Sequence, residues 1–383
     1  MQEIRFGFIG CGFMGREFAG AAARWPHLLD LDFRPVVVAA CDLNLDARSW
    51  FERSVSTLEF AVDDYRRLLE RDDIDAVYCA VPHHLHEQLY VDILQSGKHL
   101  LGEKPFGIDL EACRRIVAEA KSRPDQHVRC VFEQVFHPGF LQLYRWAREK
   151  DFGAIIDVEA GTWHNSDLNP DKPASWKRRA ESNGRSGCLN DLGMHALGLP
   201  FRLGWRPLNV RALLSNVIPE RPDGRGGRVP CDTFDNAILA CEVEQDGKRF
   251  PMTVSIKRIA PGHTNTVFLH VNGTQFSARY NLANPKELAS LSYTPGGAQA
   301  WQVEQPACPQ AYPSVTPAHL EFSFSDCVLH MFAAYCDELV NGSAMRQPFH
   351  CATPREALDQ HTLYAAALAS QETGETVTVE YEA

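Results

Sequence analysis

Along the first third of the chain, short apolar runs alternate with segments of helical spacing. Ile4–Ile9, Val36–Cys41, Ala76–Val81 and His99–Leu101 are nearly continuous in apolar residues, the form of strands in a parallel sheet covered on both faces. Between them, Met14–Arg24 and His84–Ser96 repeat apolar positions at helical intervals, and Gly97 stands where a left-handed C-cap belongs. A third helix is expected over Asp109–Lys121, with Leu110, Cys113, Ile116, Val117 and Ala120 on one face and Asp109 as its N-cap. This order is that of βαβ units feeding a parallel sheet.

After Val128–Phe132 the period changes. Ile155–Thr162, Ala237–Val243, Met252–Ile256 and Thr266–Val271 read as strands joined by turns, which predicts a large, mostly antiparallel sheet. Pro219–Pro230 and Thr294–Pro317 are rich in turn residues and are expected as exposed loops. Gly187–Leu203 reads as helical, and two further helices close the chain. One covers about Asp326–Asn341 and ends at Gly342; the other is opened by the capping box Thr353-Pro354-Arg355-Glu356.

Composition adds exclusions. The chain has 383 residues, 45% hydrophobic and 23% charged, a globular balance long enough for two domains. A formal net charge of -11 without a basic tract argues against nucleic acid, and no apolar stretch reaches membrane-spanning length, so a cytoplasmic enzyme is expected. The 12 cysteines form no CxxC pair and several sit in apolar patterns, so reduced, buried thiols are expected and no zinc site. His83, His84 and His86 fall on different sides of a helix start, so they are not expected to hold a metal either.

The first chemical motif follows strand Ile4–Ile9 directly. Gly10-Cys11-Gly12-Phe13-Met14-Gly15 runs from strand into helix, the setting in which GxGxxG means dinucleotide binding. Gly10 permits the turn, Gly12 lets the backbone approach a pyrophosphate, Gly15 lets helix pack on strand, and the helix N-terminus supplies amide donors. Asp42 closes the second strand, where a carboxylate accepts from ribose hydroxyls and repels a 2′-phosphate, which favours NAD over NADP. The expected fold is an α/β Rossmann domain over 1–130 and an α+β domain with a large, mostly antiparallel open sheet over 131–383.

Two later motifs carry a resemblance over nearly the whole chain. Glu103-Lys104-Pro105 follows a strand and a Gly97-Lys98-His99 approach, with Val81-Pro82 and His86 upstream; Asp191-Leu192-Gly193-Met194-His195 follows Trp176-Lys177. In these the chain resembles the Gfo/Idh/MocA oxidoreductases. The resemblance implies that Val81, Pro82, His86, Glu103, Lys104, Trp176 and Lys177 serve cofactor binding beside the glycine loop, that Lys104 binds the reacting hydroxyl, and that Glu103 supports it. It also implies homodimers or homotetramers paired through the open sheet face. The residues themselves permit these roles. A strand end is where ligands of open α/β sheets collect, and Pro105 fixes the backbone of Lys104. Asp191 and His195 are one helical turn apart, placing an acid beside an imidazole suited to accept an alcohol proton. His164, after a strand and next to Trp163, is a further substrate-binding candidate. From composition alone, Trp176 and Lys177-Arg178-Arg179 fit a buried indole and a solvated basic run equally well.

The sequence departs from the family pattern where relatives carry a glycine run before the aspartate, keeping only Gly187, and where Gly198 replaces a second aspartate. The reading is an NAD-dependent oxidoreductase moving hydride between a secondary alcohol of a sugar, cyclitol or related polyol and nicotinamide. In it His195 takes the hydroxyl proton, Lys104 stabilises the alkoxide and Asp191 holds the imidazole. Two alternatives stand beside it: a glycoside hydrolase that oxidises its sugar transiently on NAD, and a non-enzymatic dinucleotide sensor.

Overall fold

The structure, a computed structural model, describes residues 1–305, 310–346 and 350–382. In chain order the elements are β1 (Gln2–Ile9), α1 (Phe13–Ala23), β2 (Phe33–Cys41), α2 (Leu45–Ser54), β3 (Phe60–Val62), α3 (Tyr65–Leu69), β4 (Ala76–Cys79), α4 (His86–Gln95), β5 (His99–Gly102), α5 (Leu110–Lys121) and β6 (Val128–Cys130). There follow α6 (Pro138–Glu149), β7 (Ile155–Trp163), α7 (Ala180–Asn183), α8 (Cys188–Arg202), β8 (Pro207–Ser215), β9 (Glu220–Pro222), β10 (Arg228–Pro230), β11 (Asn236–Gln245), β12 (Lys248–Lys257), β13 (Thr266–Gly273), β14 (Phe276–Asn281), β15 (Leu288–Ser292) and β16 (Gln302–Glu304). The last are α9 (Phe324–Asn341), α10 (Pro354–Thr373) and β17 (Val377–Thr378).

The chain forms two compact units. Unit one comprises Met1–Gly107, Glu111–Pro138 and Pro309–Arg355; unit two comprises Ile108–Leu110, Gly139–Cys308 and Glu356–Ala383. Pro309–Arg355, which the sequence reading gave to the second domain, thus lies with the first. The reason is aromatic: Phe332 of α9 meets Phe6 of β1 with ring centroids 4.9 Å apart and Phe18 of α1 at 5.3 Å. No local pattern announces that return, because it is a contact between distant parts of the chain.

Unit one is built on a parallel sheet in the order β3-β2-β1-β4-β5-β6. Strands β1 and β2 begin before their continuous apolar runs, since Gln2 pairs with Phe33 and Glu3 with Arg34, and of these four only Phe33 is buried. Where apolar residues fill both faces the core is closed: Phe6, Phe8, Phe18 and Tyr78 are fully buried, and Phe18 stacks on Tyr78 at 3.9 Å.

Unit two carries a sheet in the order β16-β15-β14-β13-β7-β12-β11-β8-β17, antiparallel except for the β12–β7 pair. Along β12 the residues Phe250, Met252, Val254 and Ile256 alternate inward, and α8 packs on this buried face with Leu189, Leu192 and Leu197. The other face leaves Leu213 and Ile238 exposed side by side in the β8–β11 register. Pro219–Pro230, expected as a loop, is a short hairpin of β9 and β10. Thr294–Pro317 contains β16 but is otherwise irregular, and its residues 306–309 lie outside the described ones. No helix among the described residues is long and apolar enough to cross a membrane.

Candidate active site

In unit one the candidate residues stand in a row along one edge of the sheet. Glycine loop, Asp42, Val81-Pro82 and Glu103-Lys104 follow the C-terminal ends of β1, β2, β4 and β5, adjacent strands in the order β2-β1-β4-β5. Gly10 has φ +98, and a Cβ there would strike the Ala80 carbonyl, so only glycine makes this turn. Gly12 caps α1, and a Cβ on it would meet nothing within 4 Å. Backbone here is open to an approaching anion. Phe13 is exposed beside it, Met14 half-buried, and Gly15 packs against the Gly10 carbonyl.

Asp42 is fixed at both oxygens. Oδ2 accepts from the Cys11 amide at 2.7 Å and Oδ1 from the Asn44 amide at 2.8 Å, tying the end of β2 to the phosphate loop. Arg48 donates to the Asp42 carbonyl at 2.6 Å. This glycine cradle and its adjacent carboxylate fit a dinucleotide.

His86 is fully buried, with Nε2 2.9 Å from the Val81 carbonyl and Nδ1 accepting from the Gly107 amide at 3.4 Å. It therefore ties the turn after β4 to the segment that carries Lys104. Glu103 is buried too: its Oε1 accepts from Tyr78 Oη at 2.9 Å, and its carbonyl from Tyr90 Oη at 2.8 Å. Burial pushes its carboxyl up to about 7, against the opposing pull of the Lys104 cation. Lys104 is half-buried at the strand end.

In unit two, α8 holds both Asp191 and His195, as the spacing predicts; Asp191 is buried and His195 half-buried. The oxygens of Asp191 are bound by cations: Oδ1 accepts from Lys177 Nζ at 2.9 Å, and Oδ2 from Arg258 Nη2. Arg258 also faces Asp167, with Nη1 3.9 Å from Oδ2, and Lys172 Nζ lies 2.8 Å from Asp167 Oδ1. Arg258, Asp167 and Lys172 were absent from the sequence reading. The available signal was a basic pair, Lys257-Arg258, ending an apolar strand: alternation must send one of the two inward, where a charge requires a partner.

His164 belongs to this cluster. Burial, with Arg258 next, lowers its imidazole to about 4, so it is neutral, and Nδ1 accepts from the Ser166 amide at 3.3 Å. Nε2 then carries the proton and is a donor. Trp163 is directed elsewhere: its Nε1 donates to Ser255 Oγ at 3.0 Å, and Lys257 Nζ lies over its ring at 4.3 Å on the open face. Trp176 is half-buried, with the Lys177 ammonium 5.6 Å from its ring centre. His83 packs 5.4 Å from His86, and no group of three His, Cys, Asp or Glu among the described residues is placed to hold a metal.

Known proteins share this fold. The model of an oxidoreductase family with an NAD-binding Rossmann fold, Gfo/Idh/MocA, matches residues 4–130. A levoglucosan dehydrogenase of Pseudarthrobacter phenanthrenivorans is 27% identical over 308 residues, 75% of this chain and 76% of that protein. A glycosyl hydrolase family 109 protein of Bacteroides thetaiotaomicron is 30% identical over 178 residues, 43% of this chain and 35% of that one. Among solved structures, a levoglucosan dehydrogenase in complex with NADH and L-sorbose superposes with TM-score 0.89 at 22% identity, covering 100% of both chains. An oxidoreductase domain protein from Kribbella flavida gives 0.88 at 22%, covering 99% of this chain and 100% of that one. The matched residues 4–130, which contain the glycine loop, Asp42, Pro82 and Lys104, are similar to the NAD-binding Rossmann fold of the Gfo/Idh/MocA oxidoreductases.

Proposed function

We propose that this protein is an NAD-dependent dehydrogenase of a secondary alcohol on a sugar, cyclitol or related polyol, with unit one binding the cofactor and unit two the polyol. The observation that carries the reading is the row of strand ends in unit one. Asp42, the open Gly12 backbone, Pro82 and Lys104 succeed one another across adjacent strands, so a dinucleotide held by the first three ends beside a lysine. The levoglucosan dehydrogenase among the relatives supports a sugar-like alcohol.

When bound, NAD supplies a two-electron hydride acceptor at its nicotinamide. The chain supplies the rest. Asp42 would accept from the adenosine ribose and the α1 N-terminus would hold the pyrophosphate. Lys104 donates to the reacting hydroxyl and stabilises the alkoxide as its proton leaves; His195 takes that proton. Asp191, one turn before His195, keeps an anionic charge by that imidazole while Lys177 and Arg258 hold its carboxylate.

Formation of NADH across a panel of sugars and cyclitols tests the reading. With an accepted polyol, Lys104→Ala and His195→Ala should each lose at least about a hundredfold in kcat, the usual worth of a positioned acid or base; near wild-type turnover would refute the roles. Asp42→Ala should raise NADP use relative to NAD by roughly tenfold, since repulsion of the 2′-phosphate goes while Arg48 stays. The hydrolase relative favours a second reading, in which glycosides are cleaved with no net NADH. Product analysis separates the two.

A further inference from the structure

The charges around Asp191 are not evenly shown to solvent. The cluster in unit two contains three cations, Lys172, Lys177 and Arg258, and two carboxylates, Asp167 and Asp191, joined through the contacts Lys172–Asp167, Asp167–Arg258, Arg258–Asp191 and Asp191–Lys177. With His164 neutral it carries a net positive charge. Its two acids are 6% and 2% exposed, whereas Lys172 and Lys177 are 44% and 36% exposed. What a ligand can reach is therefore cationic; the anions are buried behind it.

Lys172 is presented by a built loop. Arg221, 1% exposed, donates to the carbonyls of Asp167, Asn169 and Lys172, and the Ala174 amide donates to the Pro222 carbonyl at 2.8 Å. The ammonium itself donates to the Ser166 carbonyl at 2.7 Å and to Asp167 at 2.8 Å. An ammonium has three N–H groups, so one remains, already positioned, with little rotamer freedom left to lose on binding. Lys177 adds a second exposed cation, and the His164 Nε2–H is a further donor. A neutral polyol needs acceptors as well as donors for its hydroxyls; this cluster offers ligands donors and positive charge.

We infer that the substrate is a polyol bearing an anionic group, carboxylate or phosphate, held by Lys172 and Lys177 of unit two. The inference rests on the dehydrogenase reading and narrows its substrate class. The test is NADH formation by the full chain with matched sets of each sugar: the neutral compound, its aldonate or uronate, and its phosphate. At low salt the anionic member of the accepted skeleton should exceed the neutral one in kcat/KM by tenfold or more, and added salt should erode the difference. Carboxylate or phosphate as the better member identifies the anion.

Lys172→Met should reduce the preference about tenfold through KM for the polyol, and Lys172→Arg should retain most of it. A neutral substrate preferred outright would overturn the inference while leaving the dehydrogenase standing. The same holds for a preference indifferent to Lys172→Met, or for a rise confined to KM for NAD. NADH formation from no member of any set would instead remove the dehydrogenase reading, and this inference with it.

Discussion

At the scale of single residues, Glu103 shows how burial and neighbours divide control of a charge. Desolvation raises its carboxyl to about 7, while the Lys104 cation and the Tyr78 hydroxyl pull it down without winning. The carboxylate that gives Lys104 a counter-charge therefore prevails only above neutrality, and kcat/KM should fall as the pH drops through 7. His195, the proposed base, must be unprotonated to act, which adds a loss in the same direction. Glu103→Gln separates them: the variant should be slower by about tenfold at pH 8 and should keep only the histidine step. A profile identical to wild type would show that Glu103 does not act through Lys104. The residue and its strand-end position were legible in sequence. Its pKa was not, because that depends on Tyr78 and Tyr90, which are buried against it by the fold. Arg258 was hidden for the same reason, its partner Asp191 lying 67 positions away on another element.

At the scale of elements, legibility followed the strength of local pattern. Helix α8 was expected over Gly187–Leu203 and spans Cys188–Arg202; α9 was expected from Asp326 and starts at Phe324, capped by Ser323 and Asp326. In α9 cap and period agree, whereas in α8 the period alone carries the expectation. Strand β3 and helix α3 were missed, being three and five residues long, too short for a period to register. What the pattern of α9 could not show was its destination. Its buried Phe332 lies against Phe6, Phe18 and Trp25, so unit one is incomplete without a helix from the far end of the sequence. Phe332→Ala should cost about 3 to 5 kcal/mol, read by urea unfolding. NAD affinity should weaken along with stability if α9 braces the sheet that carries the glycine loop. A change below about 1 kcal/mol would mean that unit one does not depend on the helix.

Across the whole molecule, the buried imidazoles set a limit in acid. His137 and His330 in unit one and His164 in unit two are each lowered to about 4, with burial the leading cause. In the unfolded chain a histidine takes its proton near 6.5, so between 6.5 and 4 the unfolded state binds more protons and stability falls as the pH falls. Glu103 works the other way: raised to about 7 in the fold, it takes up its proton before the unfolded chain does, and its contribution to stability grows as the pH drops from 7 towards 4.5. One carboxyl offsets about one imidazole. The balance still favours unfolding, by up to roughly 3 kcal/mol for each histidine left over. The carboxylates held down by cations, Asp73 at about 2 among them, act only below that window. Thermal unfolding followed from pH 7.5 to pH 4.5 should therefore show Tm declining well before the cation-paired carboxylates titrate, and His330→Gln should flatten the decline. That variant isolates the charge, because a glutamine can take over the acceptor role of His330 Nδ1 towards the Tyr312 amide, 3.1 Å away, without ever binding a proton. A Tm constant down to pH 4.5 would mean that these imidazoles reach water more freely than their packing indicates.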